Sequence, residues 1–139
     1  MTLRITLARA AVTLGLAAAV GCSPSSRNAG APPSPEMPDG WTIVQDVDFA
    51  PRDIEPIARQ LGAELDALRN TVYTVSGKRV QLNTVVAATP ADASAVMAAM
   101  RELKPEEWLV QSALNVYEFV GADDVRAEVL QARELLLAG

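Results

Sequence analysis

The chain contains no histidine and a single cysteine, Cys22, among its 139 residues. Without imidazole, Ser-His and Cys-His nucleophilic catalysis have no general base, and an ordinary zinc site loses its commonest ligands. One thiol cannot form an intramolecular disulfide. Long apolar runs are also missing: the stretch between Arg9 and Cys22 is on the order of ten residues, well short of the ~20 that span a bilayer as a helix. Arg4 and Arg9 are not adjacent, so no twin-arginine export signal is present. Positive charge is scarce, with 12 Lys and Arg against 17 Asp and Glu, which argues against nucleic acid as a partner.

What is present at the N-terminus is ordered by type. Arg4 and Arg9 precede the apolar run Ala10 to Val20, and the small residues Ala19-Val20-Gly21 lead into Cys22. This arrangement resembles a bacterial lipoprotein signal with its lipobox, with Ala19 standing where leucine is commonest. The resemblance implies cleavage after Gly21, a diacylglycerol on the Cys22 sulfur and acylation of the new amine. Two or more chains at about 0.8 kcal/mol per buried methylene hold such a protein on a membrane. With Ser23 following the cysteine, the family's sorting rule implies the outer membrane facing the periplasm in a diderm cell, and otherwise the outer leaflet of the plasma membrane. The first 21 residues hold two basic side chains and no acid, so the mature chain carries 10 basic against 17 acidic residues, a net of −7. Its own charge opposes contact with anionic headgroups.

Three segments follow from composition: a signal peptide over 1–21, a tether over 22–40 and one domain over 41–139. In the tether Pro24, Pro32, Pro33, Pro35 and Pro38 alternate with Ser, Gly, Ala and Asn. Such a stretch buries too little apolar area to offset chain entropy, and its prolines favour an extended spacer. Its ~18 residues reach up to about 55 Å at ~3.1 Å per residue.

From Trp41 the chain is apolar-rich and punctuated. Trp41, Ile43, Val47 and Phe49 alternate with polar residues, which predicts a first strand. Pro51 and Asp53 open a helix with Ile54, Ile57, Ala58 and Leu61 on one face; Gly62 ends it, although the apolar spacing runs on through Leu65 to Leu68. The β-branched runs Thr71–Val75 and Arg79–Ala87 flank Ser76-Gly77-Lys78, a hairpin signal. Thr89-Pro90-Ala91-Asp92 caps a second helix bearing Val96, Met97, Met100 and Leu103 up to Pro105. Trp108 to Val120 reads as one strand, and Gly121-Ala-Asp-Asp124 opens a final helix with Val125, Val129, Ala132 and Leu136 on one side. The order predicts an α+β domain, a ferredoxin-like β-α-β-β-α-β antiparallel sheet with two crossovers, both helices on one face, and an added C-terminal helix.

Candidate functional residues are few. Asp46, Asp48, Asp53 and Glu55 are the densest acidic group, but their spacing matches no EF-hand loop, and a solvated strand end with helix N-terminal charges accounts for them. Arg69, Lys78 and Arg79 form the one basic concentration, read as a solubilising hairpin tip or, with Tyr73, as an interaction surface. Tyr73, Tyr117 and Phe119 fit either an exposed sheet face or the core. Met97 and Met100 fit gap-filling core positions better than a cofactor site, and no cofactor is called for. The expected function is a lipid-anchored, non-catalytic binding module that contacts a protein partner or envelope component through its sheet or sheet edge. Tyr73-Thr-Val, Val80-Gln-Leu and Ala91-Asp-Ala-Ser-Ala-Val-Met are loosely similar to sporulation-related repeat (SPOR) domains. That resemblance implies peptidoglycan as an alternative partner, with no binding residues to carry over. A small envelope enzyme is the third class and would have to work with Asp, Glu, Ser, Thr, Tyr or Lys alone.

Overall fold

A computed structural model describes residues 35–138. The lipobox, Cys22 and most of the tether lie outside the described residues. The described chain forms an α+β domain: a five-stranded antiparallel sheet and three helices, the last of them C-terminal.

β1 (Thr42–Asp48) is followed by α1 (Pro51–Leu61), which begins at a proline whose missing N–H is not needed there and ends where Gly62 takes the left-handed conformation at φ 68°. The glycine stops the apolar period that would otherwise run on to Leu68. β2 (Leu65–Val75) and β3 (Lys78–Ala87) are joined by a two-residue turn in which Ser76 and Gly77 both have positive φ, the backbone twist that suits a tight hairpin. α2 (Pro90–Arg101) starts at Thr89, whose hydroxyl accepts the Asp92 N–H at 3.1 Å. A 3-10 turn over Glu106–Trp108 leads into β4 (Leu109–Ser112) and β5 (Asn115–Val120), and α3 (Arg126–Ala138) closes the chain.

The sheet order is β1-β2-β3-β5-β4, and every neighbouring pair is antiparallel. Two features of the expected arrangement are therefore corrected. The segment read as one strand from Trp108 to Val120 is a 3-10 turn and a hairpin, which makes five strands in place of four. α1 returns the chain to the strand beside β1 instead of crossing over, so one crossover exists: α2 carries the chain from β3 past β5 to β4. The physical reason for the fifth strand is the turn at Ala113-Leu114, where an alanine at φ 53° reverses the chain between Ser112 and Asn115 with no glycine or proline to mark it.

Side chains alternate across the sheet and build two cores. Phe49, Ile54, Ile57, Leu68, Val85, Val96, Met97, Met100, Leu109 and Val116 pack together under α1 and α2, which share one face as expected. Tyr73, Val80, Leu82, Val110, Phe119, Val125, Val129 and Ala132 form the second cluster on the α3 side, where Trp41 meets Tyr73 and Phe119 edge-on. Met97 and Met100 are core residues. Burying a side chain of this size contributes roughly 1.5–3 kcal/mol, so two separate clusters explain why a short chain sustains a sheet covered on both sides.

Candidate functional site

The surface feature with the most distinct chemistry is a groove of about 630 Å³ where the end of α1 meets the start of β2 and the start of α2. Each wall follows from local sequence. The amphipathic spacing of α1 turns Ile54 inward and leaves Ala58 half-buried beside it. Gly62 then bends the chain so that Ala63 and Leu65 complete an apolar floor with Ala88. The rim is charged: Glu55, Glu64, Asp66 and Asp92 stand against one guanidinium, Arg59.

Those charges are not equivalent. Arg59 pairs with Glu55 at 3.2 Å along the helix. Asp92 is engaged internally, because one carboxylate oxygen accepts the Thr89 hydroxyl at 2.6 Å and the other accepts the Glu64 N–H at 3.1 Å. The Thr89 hydroxyl first, and the Glu64 N–H second, hold its carboxyl below the usual aspartate range. The Ala88 N–H in turn donates to the Glu64 carbonyl at 3.0 Å, so the wall between β2 and α2 is tied from both sides. Asp66 falls where the β2–β3 register shifts, between the pairs Leu65–Ala87 and Ala67–Val86, and such a bulge re-aims the side chain it carries. Among the described residues, no ion pair involves the exposed carboxylates of Glu64 or Asp66. The groove is thus an apolar slot with two uncommitted anions at its lip.

Two polar rows lie inside the domain. Under α1 and α2, the Asn70 amide donates to Asn83 at 2.8 Å, and the Asn83 amide donates to Glu118 at 2.8 Å, across β2, β3 and β5. Lys104, just past α2, donates to the Phe119 carbonyl at 2.7 Å and stands 3.8 Å from the Glu118 carboxylate. Burial pushes Glu118 above the usual glutamate range and Lys104 below the usual lysine range, each opposed by the other's charge. On the opposite face, Arg69 makes a two-pronged contact with Asp46 at 2.8 and 2.9 Å and lies 3.4 Å from Asp48; the Thr71 hydroxyl also donates to Asp46.

The residues singled out in the sequence separate in space. Lys78 and Arg79 do sit beside the β2–β3 turn, and Lys78 pairs with Asp124 at 3.6 Å. Arg69 is 2% exposed and pairs across the sheet with Thr84, far down the hairpin, so it is an interior ion-pair residue and no part of a basic tip. Tyr73 is also 2% exposed, its hydroxyl pushed up to about 12 by burial first and by Asp46 second. Tyr117 and Phe119 are buried as well. The four-acid group divides between Arg69, which takes Asp46 and Asp48, and α1, which carries Asp53 and Glu55. Among the described residues, no group of histidine, cysteine or acidic side chains is arranged to hold a metal ion. No described helix is long and apolar enough to cross a membrane.

The groove itself escaped sequence reading because its parts are distant in sequence. Glu64 and Asp92 are 28 residues apart and meet only through the β2–β3 hairpin. The one local signal is the alternation Ala63-Glu64-Leu65-Asp66 directly after a helix-ending glycine. Comparison with known proteins finds no significant match to a family model, a curated protein or a solved structure.

Proposed function

We propose that the chain is a lipid-anchored protein of the cell envelope whose folded domain is a small, non-catalytic interaction module for an envelope protein. The observation that carries this reading is Ala19-Val20-Gly21-Cys22 behind Arg4 and Arg9, followed by the proline-rich stretch and then by the domain. Anchoring rests on lipid chains at Cys22, and the tether gives the domain its reach.

A non-catalytic role is supported by where the displaced ionisations fall. Catalytic sites gather shifted groups in a cleft. Glu118, Lys104 and Tyr73 are shifted chiefly by burial inside the domain, and the Asp92 carboxylate on the groove rim is spent on the Thr89 hydroxyl and the Glu64 N–H. An interaction role is supported by the groove itself, an apolar slot with the exposed carboxylates of Glu64 and Asp66 at its lip. The strand order gives the peptidoglycan-binding alternative no added support.

Intact mass of the protein extracted from host membranes, with Cys22→Ala beside it, tests the proposal. The expected result is loss of Met1 to Gly21 with acyl groups on Cys22, and an uncleaved, unacylated variant. An unmodified wild-type chain would overturn the anchoring and the localisation together.

A further inference from the structure

We infer that the groove between α1 and β2 is the docking site for a basic segment of the partner protein. An apolar side chain of that segment seats on Ile54, Ala58 and Leu65, and its flanking lysines or arginines lie over Glu64 and Asp66. This inference rests on the interaction reading above and names the surface and the chemistry of what binds it.

Volume and charge select the occupant. A groove of about 630 Å³ falls within the range of clefts that enclose a small ligand, about 300–1,000 Å³, and so has room for an apolar side chain together with the chain that flanks it. Its floor offers carbon to a guest, so a bare polyamine or inorganic cation would leave the half-buried Ala58, Ala63 and Leu65 partly in water. Its lip repels anions, which sets aside nucleic acid, acidic peptides and anionic headgroups. An uncharged apolar side chain would fill the floor and leave Glu64 and Asp66 desolvated beside it without a partner. A segment that joins an apolar anchor to positive flanks satisfies both layers. The Asp92 bridge to Glu64 and Thr89 fixes the wall in advance, so little ordering is required on binding.

The test uses the full-length protein, purified from membranes in a nonionic detergent. Its probes are fluorescein-labelled nonapeptides with a central leucine flanked by lysines, the same peptide flanked by glutamates, and the lysine peptide with glycine at its centre. Fluorescence polarisation is expected to rank the lysine–leucine peptide at least about tenfold tighter than either control. The surface pair Glu64→Gln with Asp66→Asn is expected to weaken it at least about fivefold, and Ala58→Trp, which fills the slot, at least about tenfold. If Ala58→Trp melts far below wild type, the surface pair decides, because those side chains take part in no described ion pair. Equal affinity for the lysine and glutamate peptides would overturn the inference. So would competition by spermidine as strong as by the lysine–leucine peptide itself, or affinity unchanged in the surface pair.

Photo-crosslinking in living cells, from a benzophenone residue at Gln60, separates this inference from the reading beneath it. A protein captured by wild type and lost with Glu64→Gln/Asp66→Asn supports the groove. The same protein captured equally by both refutes the groove and leaves the interaction module standing. No captured protein in either refutes both.

Discussion

The two faces of the sheet solve the same problem with opposite chemistry. Under α3's side, Arg69 is clamped between Asp46 and Asp48, a guanidinium fork matched to carboxylates at hydrogen-bonding distance. Under α1 and α2, Glu118 is held by the Asn83 amide and faces Lys104 only at 3.8 Å. The first is a directly bonded ion pair; the second is a neutral amide ladder with a charge at its end. A buried charge lacking close opposite charge relieves its cost by shifting its ionisation, and Glu118 and Lys104 both do so. The difference teaches that two buried polar rows of one sheet can be held by different means, one by charge met with charge at bonding distance and the other by an amide bond and a more distant cation.

The largest effect is expected where the clamp is broken. Arg69→Met leaves two interior carboxylates without their cation and is expected to lower unfolding stability by about 3–5 kcal/mol in urea denaturation. A loss under about 1 kcal/mol would show that the clamp contributes no more than a surface pair. On the other face Lys104→Met is expected to cost about 1–3 kcal/mol at neutral pH. That loss shrinks in acid, because a protonated Glu118 no longer needs the cation; a loss independent of pH would break the contrast between the faces. Glu118→Gln keeps an acceptor for Asn83 and removes the charge, so its stability at neutral pH is expected within about 1 kcal/mol of wild type. The sign with pH follows from the raised ionisation of Glu118. The folded state holds the proton more tightly than the unfolded chain, so wild type gains on the variant as pH falls from Glu118's raised range into the ordinary glutamate range, and loses ground as pH rises back. Parallel stability curves for the two proteins would contradict this.

The smallest effect concerns the two hairpin turns, one at the end of each half of the sheet. Gly77 takes φ 74° without penalty, whereas Ala113 takes φ 53° with a side chain in the way. Ala113→Gly is expected to raise stability by about 0.5 kcal/mol and Gly77→Ala to lower it by about 1 kcal/mol, read as shifts in denaturation midpoint. If Ala113→Gly destabilises instead, unfolded-chain entropy outweighs the relief at the turn.

The same pair of turns shows what the sequence could carry. Ser76-Gly77 announces itself, as do Gly62 after α1 and Thr89-Pro90 before α2, because each is a local backbone requirement written in a residue type. Ala113-Leu114 announces nothing, so Trp108 to Val120 read as a single strand; tertiary pairing of Leu109 with Glu118 imposes the bend. The first half of β2 was hidden for a related reason. Leu65 to Asn70 is composed largely of helix-compatible residues, and it is pairing with β1 and β3 that makes it strand. The α+β class, the antiparallel sheet and the helices at 51–61 and 90–101 were legible, as was the terminal helix. The groove was not, since hydrophobic periodicity marks what is buried and is silent about which acids the topology will gather at a slot.

β1 has one further property, which concerns load. It is an edge strand that begins beside Trp41 at the hairpin end and runs, through a two-residue link, directly into α1. A pull between Trp41 and a guest seated on Leu65, Glu64 and Asp66 enters β1 at the hairpin end and leaves β2 at the groove end, and so it loads the β1–β2 ladder along the strand axis. Antiparallel strands drawn lengthwise resist as a row of hydrogen bonds stressed together, whereas strands peeled from one end give way one pair at a time. Resistance to such a pull is set by the β1–β2 ladder from Thr42–Thr74 to Asp48–Arg69.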